Sequence, residues 1–297
     1  MYQKIIRELC RRLSPLTQRL GFVLSPVHFY FPIPDTRELI RDGVWDIETK
    51  MPGVEFNLEK QKSLLAELAE FGDEARWPSR AEARPGEYAH DAPTFGYTSA
   101  LFLHTTVRRF KPARVIEVGC GWSTLVFQQA LSLNAAAGKP CKYTGIDPFP
   151  PPMLPPNPAG GTLHRKRIQD VDPHLFDELQ SGDILFIDSS HVLNIGSDVR
   201  QIFLEIIPRL KPGVIIHIHD IQLPNEYPRD YALRQRWFWN EQYLLQAFLA
   251  FNSDFEILLA GHYLTTREQD FLSGIFAHYD PKAHPATGSF WIRRRVE

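Results

Sequence analysis

At 297 residues, with 43% apolar and 23% charged residues, the chain has the make-up of a globular protein large enough for one elaborate domain or two small ones. Its 33 basic and 35 acidic residues leave a formal charge of −2, so no overall field draws nucleic acid or an anionic membrane. No apolar run approaches the roughly 20 residues of a membrane-crossing helix, and no secretory signal pattern is visible.

Met1 to Leu24 carries Ile5, Leu9, Leu13, Leu16 and Leu20 at helical spacing, with Lys4, Arg7, Arg11, Arg12 and Arg19 between them. A targeting peptide or a surface-lying helix fits this pattern, but the expectation is an ordinary amphipathic helix packed on the domain. Pro26, Pro32 and Pro34 break the chain, and Asp35 is placed to cap a short helix over Thr36 to Arg41. Asn57 is placed to cap a longer one that stops at Gly72. Asp73 to Gly86 reads as a loop. Residues 1–94 therefore form a helical and loop extension, read as a lid, an oligomer arm or a packed cover for the sheet.

From Phe95 the pattern changes. A helix to about Phe110 leads to a strand from Arg114 to Val118, a glycine turn at Gly119 and Gly121, and a helix from Ser123. Cys141 to Ile146 is the second strand and ends at Asp147-Pro148. Seven prolines between Pro148 and Gly161 exclude regular structure there. Thr162 to Ile168 is a third strand, and Asp172-Pro173 starts a small helix. Gly182 to Asp188 is a fourth strand, followed by a helix capped by Asp198. Val214 to His219 is a fifth strand. Asp230 to Phe251 reads as one long aromatic-rich helix, Phe255 to Ala260 as a sixth strand and Ser289 to Arg293 as a seventh. Strands alternating with helices imply a mostly parallel, doubly wound α/β sheet with helices on both faces. The last two strands are placed to pair antiparallel at one edge. Cys10, Cys120 and Cys141 are odd in number and lack metal-type spacing. They point to a reducing cytoplasm and to thiols that serve as small buried residues.

In such sheets, ligands bind beyond the carboxyl ends of the strands. Polar residues gather there: Gly119 to Trp122, Asp147, Gln169 and Asp170, Asp188-Ser189-Ser190-His191, and His219-Asp220. Each is expensive at the end of an apolar strand unless it binds something, and five in succession mark a site. A glycine turn before a helix N-terminus lets the backbone approach a ligand. Asp147, one strand-helix-strand step later, is placed to accept bonds from ribose hydroxyls. Gly119-x-Gly121 lacks the third glycine of a dinucleotide fingerprint, since Thr124 stands in its place. His217 reads as a satisfied polar residue of the sheet. Asp188, His191, His219 and Asp220 converge where a divalent metal or general-base chemistry is served. Trp237, Phe238, Trp239, Tyr243 and Phe248 read mainly as helix core, and Tyr97 and Tyr227 as substrate contacts near loop mouths.

Glu117-Val-Gly119-Cys-Gly121-Trp-Ser123 resembles the first motif of class I S-adenosylmethionine-dependent methyltransferases. Asp147 matches their acid after strand two, and Leu210-Lys211-Pro212-Gly213 their turn before strand five. The resemblance covers Phe95 to the C-terminus, residues 95–297, and is nearest to small-molecule enzymes of the domain-24 type, similar to bacterial natural-product enzymes. It implies a seven-stranded sheet of order 3-2-1-4-5-7-6 with strand seven antiparallel. It also implies that Gly119, Cys120 and Gly121, with Ser123, hold the methionine part of the donor and that Glu117 orients that loop. Asp147 would bind the ribose, and Gln169 or Asp170 would lie by the adenine. In sugar methyltransferases of the macrocin type, an acid ending strand four and an acid pair ending strand five bind magnesium, with a histidine base three residues after the first acid. Asp188 and His191 fit this pattern. His219 stands where the first acid of the pair belongs, so the expected ligands Asp188, His219 and Asp220 would suit iron, manganese or zinc as well as magnesium.

The expectation is a cytoplasmic methyltransferase acting on a small molecule, as an O-methyltransferase with His191 and Asp188 as its catalytic pair. Nucleic acid and membrane partners are not expected, and a homo-oligomer is left open. The rival readings are a nicotinamide-dependent oxidoreductase, a metal-dependent oxygenase or hydroxylase on the same scaffold, and a non-catalytic binding protein.

Overall fold

The computed structural model describes residues 2–28 and 30–296. Met1, Phe29 and Glu297, which belong to the expected ranges, lie outside the described residues, as do the side chains of Tyr2, Gln3, Lys4 and Arg7. The chain divides into two compact units: Met1–Glu48 with Asn225–Phe238, and Thr49–Pro224 with Trp239–Glu297. The expected division at residue 94 does not coincide with this grouping, because residues 49–94 belong with the sheet.

In the smaller unit, α1 (Tyr2–Arg19) is followed by α2 (Thr36–Arg41). The Asp35 carboxylate accepts from the Arg37 N–H at 2.9 Å, as its capping position requires. Arg229 lies over the Trp45 ring at 5.4 Å, and Arg236 donates to Thr36 Oγ1 at 3.2 Å. The expectation of an amphipathic helix packed along its leucines is corrected. Ile5, Leu9, Leu13, Leu16 and Leu20 are exposed, and among the described side chains of α1 the buried ones are Cys10 and Thr17.

The larger unit begins with α3 (Leu58–Leu68), α4 (Tyr97–Phe110) and β1 (Arg114–Val118). It continues with α5 (Trp122–Ala136), β2 (Lys142–Ile146), β3 (Thr162–His164) and β4 (Ile184–Ile187). Then come α6 (Asp198–Gln201), β5 (Ile215–Ile218), α7 (Glu241–Leu249) and β6 (Phe255–Ala260). The chain ends with α8 (Gly261–Arg267), α9 (Gln269–Ile275) and β7 (Phe290–Arg294). The strands form one sheet of order β3-β2-β1-β4-β5-β7-β6. Only the β5–β7 and β6–β7 pairings are antiparallel. This is the strand order that the methyltransferase resemblance implies.

Alternation along the strands sorts the core into two faces. Val115, Ile184, Phe186, Ile215 and Trp291 pack with α3, α4 and α5, together with Trp77 and Tyr88 from the segment before α4. Ile116, Val118, Ile187, Ile216, Ile218 and Ile292 pack against the side of Val199, Phe203, Leu245 and Leu249. The residues between α3 and α4 are therefore a packed cover of the first face.

Four expectations change. Asn57 sits at φ 45° and makes no side-chain cap bond, so α3 starts without the expected device. β3 stops at His164, because an edge strand has a partner on one side only and Ile168–Asp170 curl into a 3₁₀ turn. The cap of α6 is Ser197, whose hydroxyl accepts from the Arg200 N–H at 3.2 Å. The long helix over 230–251 is broken: a turn at Tyr231–Gln235 ends at Arg236, φ 60°, and α7 restarts at Glu241. No proline or glycine announces that break.

Gly119 sits at φ 81°, where a Cβ would fall 1.8 Å from the Asp188 carbonyl oxygen. Gly138, φ 77°, has open space around the same position. Urea unfolding of Gly138→Ala should report the left-handed backbone penalty alone, about 1 kcal/mol. Gly119→Ala should lose at least about 2 kcal/mol more than Gly138→Ala, because two backbones must separate.

Candidate active site

The carboxyl ends of the central strands are laddered beyond their regular pairing. Gly119 N–H donates to Ile146 O at 2.9 Å, Asp188 N–H to Val118 O at 2.8 Å, and His219 N–H to Ile187 O at 2.9 Å. The polar loops of β1, β2, β4 and β5 therefore leave the sheet side by side.

On the β1–β2 side lies a cleft of about 460 Å³. Val118, Gly119, Asp147, Ile168, Gln169 and Asp188 are among its lining residues. Asp147 accepts from the Cys120 N–H at 2.9 Å through one oxygen and from the Phe149 N–H at 2.6 Å through the other, which fixes its carboxylate between the glycine loop and the turn after β2. Each oxygen keeps a lone pair for a ligand. Gln169 lines the cleft, with its amide donated to Gly196 O at 3.0 Å. Asp170 is exposed, pairs with Arg167 at 2.8 Å, and is not part of the lining.

Glu117 has a different place from the rest of its motif. It is fully buried beneath the loop and accepts from Ser123 Oγ at 2.6 Å, from Thr124 Oγ1 at 2.8 Å and from the Tyr143 hydroxyl. Burial pushes its pKa up to about 7 against these three donors. Thr124 also accepts from the Gly121 N–H at 3.0 Å, so the chain Glu117–Thr124–Gly121 sets the loop. Ser123 is occupied by Glu117, and neither it nor Cys120 or Gly121 is a lining residue of the cleft.

On the β4–β5 side, His191 is enclosed by acids. Its Nδ1 lies 2.9 Å from Glu241 Oε2, and its Nε2 lies 3.3 Å from Asp188 Oδ1 and 3.6 Å from Asp220 Oδ2. The Trp239 ring lies against it with centroids 4.2 Å apart. Its backbone carbonyl accepts from the Asn240 N–H at 3.0 Å, so the N-terminus of α7 holds the loop after β4. His191 and Asp220 both have left-handed backbones, φ 60° and 58°, a strained conformation that the surrounding contacts must impose. Burial disfavours the imidazolium, but the Asp188 and Glu241 carboxylates outweigh burial and hold the His191 pKa well above the usual value. Glu241 is itself raised by burial.

His219 lies on the other side of the two aspartates, with Nδ1 3.7 Å from Asp188 and 3.5 Å from Asp220. Its Nε2 meets Ser99 Oγ at 3.2 Å, and that hydroxyl lies 2.6 Å from Thr287 Oγ1. Burial lowers its pKa, and the Asp220 and Asp188 charges more than restore it. Of the expected metal ligands, Asp188 and Asp220 converge with His191, their ligand atoms all within 4.8 Å of one another. His217 is core, stacked on Phe186 at 4.1 Å and bonded to Ser289 at 2.9 Å. Tyr97 is buried, with its ring stacked on His284 at 3.9 Å. Its hydroxyl is donated to Ala75 O at 3.3 Å. Tyr227 belongs to the smaller unit.

Sequence reasoning missed Glu241 and Ser99, and read Trp239 as helix core. A lone acid in an aromatic stretch was the available signal for Glu241, but a continuous helix over that stretch gives it no reason to reach His191. Asp198 was read as a cap, yet its carboxylate accepts from the Ser190 N–H at 2.9 Å and from Ser190 Oγ at 2.5 Å.

Residues 116–221, from β1 to just past β5, match the family model of a methyltransferase domain. An uncharacterised protein of Archaeoglobus fulgidus is 26% identical over 196 residues, covering 62% of this chain and 86% of that protein. Among solved structures, cmcI with SAH is 16% identical over 67% of this chain and 77% of its own, with a TM-score of 0.38. CmcI with Mg-SAM is 16% identical over 67% and 72%, with a TM-score of 0.36. A protein from Thermobifida fusca YX is 14% identical over 69% and 84%, with a TM-score of 0.41.

The four groups facing His191 and its neighbours, Asp188, Asp220, Glu241 and His219, define a titration. Because the folded pKa of His191 is raised, its contribution to stability is complete below the unfolded value of about 6.5 and is lost as pH rises through the folded value. In NMR titration of metal-free protein, His191 should lose its proton well above the usual histidine range. Glu241→Gln should move that midpoint down by about a unit or more through loss of the adjacent charge.

Proposed function

We propose that the chain is an S-adenosylmethionine-dependent methyltransferase, a reading supported by the match of residues 116–221 to a methyltransferase domain and by the strand order, that its acceptor is a hydroxyl of a small molecule, and that His191 removes the acceptor proton. The observation that carries this reading is the position of Asp188. It lines the cleft and stands 3.3 Å from His191 Nε2, so the donor's place and the base meet at one residue.

Asp147 would hold the ribose, Gly119 and the neighbouring loop amides the methionine part, and Gln169 with Ile168 the base. Glu117 acts beneath them by shaping the loop. His191 takes the acceptor proton at Nε2 as the acceptor oxygen bonds to the methyl carbon and the electron pair of the breaking C–S bond stays on sulfur. Such a displacement needs mainly positioning and removal of one proton. Glu241 keeps the imidazole oriented by holding Nδ1, and Trp239 limits its rotation.

A second reading rests on the convergence of Asp188, His191 and Asp220. Two carboxylates and an imidazole suit a divalent cation, which would relieve the repulsion among Asp188, Asp220 and Glu241. The His219 Nδ1, buried without a hydrogen-bond partner, faces both aspartates and would complete such a set. A bound divalent ion would supply Lewis-acid polarisation of the acceptor oxygen. In that case His191 is a ligand whose outer nitrogen is held by Glu241.

Calorimetry should show binding of S-adenosylmethionine or its demethylated product, and Asp147→Ala should weaken it by about 1–3 kcal/mol through loss of charge-assisted bonds. Tighter binding of a nicotinamide nucleotide would overturn the donor assignment.

His191→Ala should lower turnover by ~100-fold or more while leaving donor affinity nearly unchanged. Elemental analysis of the untagged wild-type and variant proteins separates the two roles. Metal lost together with turnover makes His191 a ligand. Turnover lost with metal content unchanged, or with no metal in either protein, makes it the base. Full turnover in the variant removes both.

A further inference from the structure

Helix α1 is divided lengthwise. Cys10 and Thr17 are buried, whereas Ile5, Leu9, Leu13 and Leu16 are 61%, 53%, 37% and 56% exposed, and Leu20 just past the helix end is 68% exposed. At roughly 100° per residue these five side chains fall within an arc of about 80°. Single exposed apolar residues are ordinary, but a contiguous stripe marks an interaction surface. The stripe runs on into Phe22, Val23 and Val27, which are also exposed.

The charge beside the stripe selects the occupant. On the same projection Arg12 and Arg19 flank its edge, and both are exposed. Over α1 the sequence places Lys4, Arg7, Arg11, Arg12 and Arg19 against Glu8 alone, in a chain whose net charge is −2. Glu8 is already paired with Arg11 at 2.8 Å and Arg12 at 2.7 Å. Two copies of α1 laid stripe to stripe would bring cationic edges together with no acid to answer them. Pro15, inside the helix, also interrupts a straight helix–helix seam. Lipid phosphates meet both demands, since an interfacial helix combines an apolar face with basic residues at the headgroup level.

We propose that α1 lies flat on an anionic lipid surface, with Leu9, Leu13, Leu16 and Leu20 in the headgroup boundary and Arg12 and Arg19 against lipid phosphates. No described helix is long and apolar enough to cross a membrane, so this contact is peripheral. The inference is independent of the methyl-transfer reading.

The test is co-sedimentation of the full chain with phosphatidylcholine vesicles containing about one-third phosphatidylglycerol, and in parallel with pure phosphatidylcholine vesicles. Binding is expected to the anionic vesicles and not to the neutral ones. Arg12→Gln and Arg19→Gln should each weaken it about fivefold. Leu9→Ser with Leu16→Ser should abolish it, while circular dichroism and thermal unfolding stay unchanged because these side chains are exposed. Failure to sediment with either vesicle overturns the proposal, as does equal binding to both, or binding unaffected by the leucine changes. Light scattering is the second measurement. A dimer that dissociates on Leu9→Ser with Leu16→Ser would assign the stripe to a second copy of the chain and overturn the lipid assignment.

Discussion

The structure depends on how closely the ends of β1 and β4 approach. Gly119 turns out of β1 at φ 81° directly against the Asp188 carbonyl, where any side chain would collide. That contact, with the Asp188 N–H to Val118 O bond, places the glycine loop and the first acid of the β4 loop side by side. The cleft on one side and the histidine–carboxylate cluster on the other both use Asp188. A glycine is needed here for close approach, beyond the conformational freedom that every left-handed turn demands.

The two acids on the β1–β2 side do different work because they stand in different media. Glu117 is buried among three hydroxyl donors, and burial lifts its pKa to about 7. It is a structural strut that shapes the loop from below. Asp147 is half-buried at the cleft, braced by the Cys120 and Phe149 amides, with lone pairs left for a ligand. A resemblance that takes in both acids conceals this division, which arises from the alternation of side chains along β1 and from the turn after β2.

The β4–β5 side of the site is first an electrostatic problem. Asp188, Asp220 and Glu241 surround His191, and His219 stands behind the two aspartates. Such a set is tolerable only if protons or a cation balance it. Burial opposes the imidazolium forms, but the neighbouring carboxylates favour them, which is why the pKa values of both histidines are raised. The left-handed backbones of His191 and Asp220 show that the loops are bent to make this arrangement, and the Asn240 and Glu241 amides on the His191 carbonyl hold the bend.

Much of the sheet was legible in the sequence. Short segments bounded by glycine, proline and acids located every strand, though the third was read four residues too long. Strand-end acids announced the site, because a polar residue closing an apolar strand needs a partner. The resemblance carried by Glu117 to Ser123 supplied the strand order, which periodicity alone does not fix. What the sequence could not determine was contact between distant segments. Glu241 reaches His191 across 50 residues only because the expected long helix breaks at Arg236, where no proline or glycine stands. His191 joins Asp188 and Asp220 at left-handed turns of two bent loops, so direction around the loops, not position along a strand, decides where its imidazole nitrogen points. The leucines of α1 look alike in sequence whether they are packed or exposed. Periodicity records that a helix has an apolar face, and only the tertiary structure decides whether anything within the chain covers it.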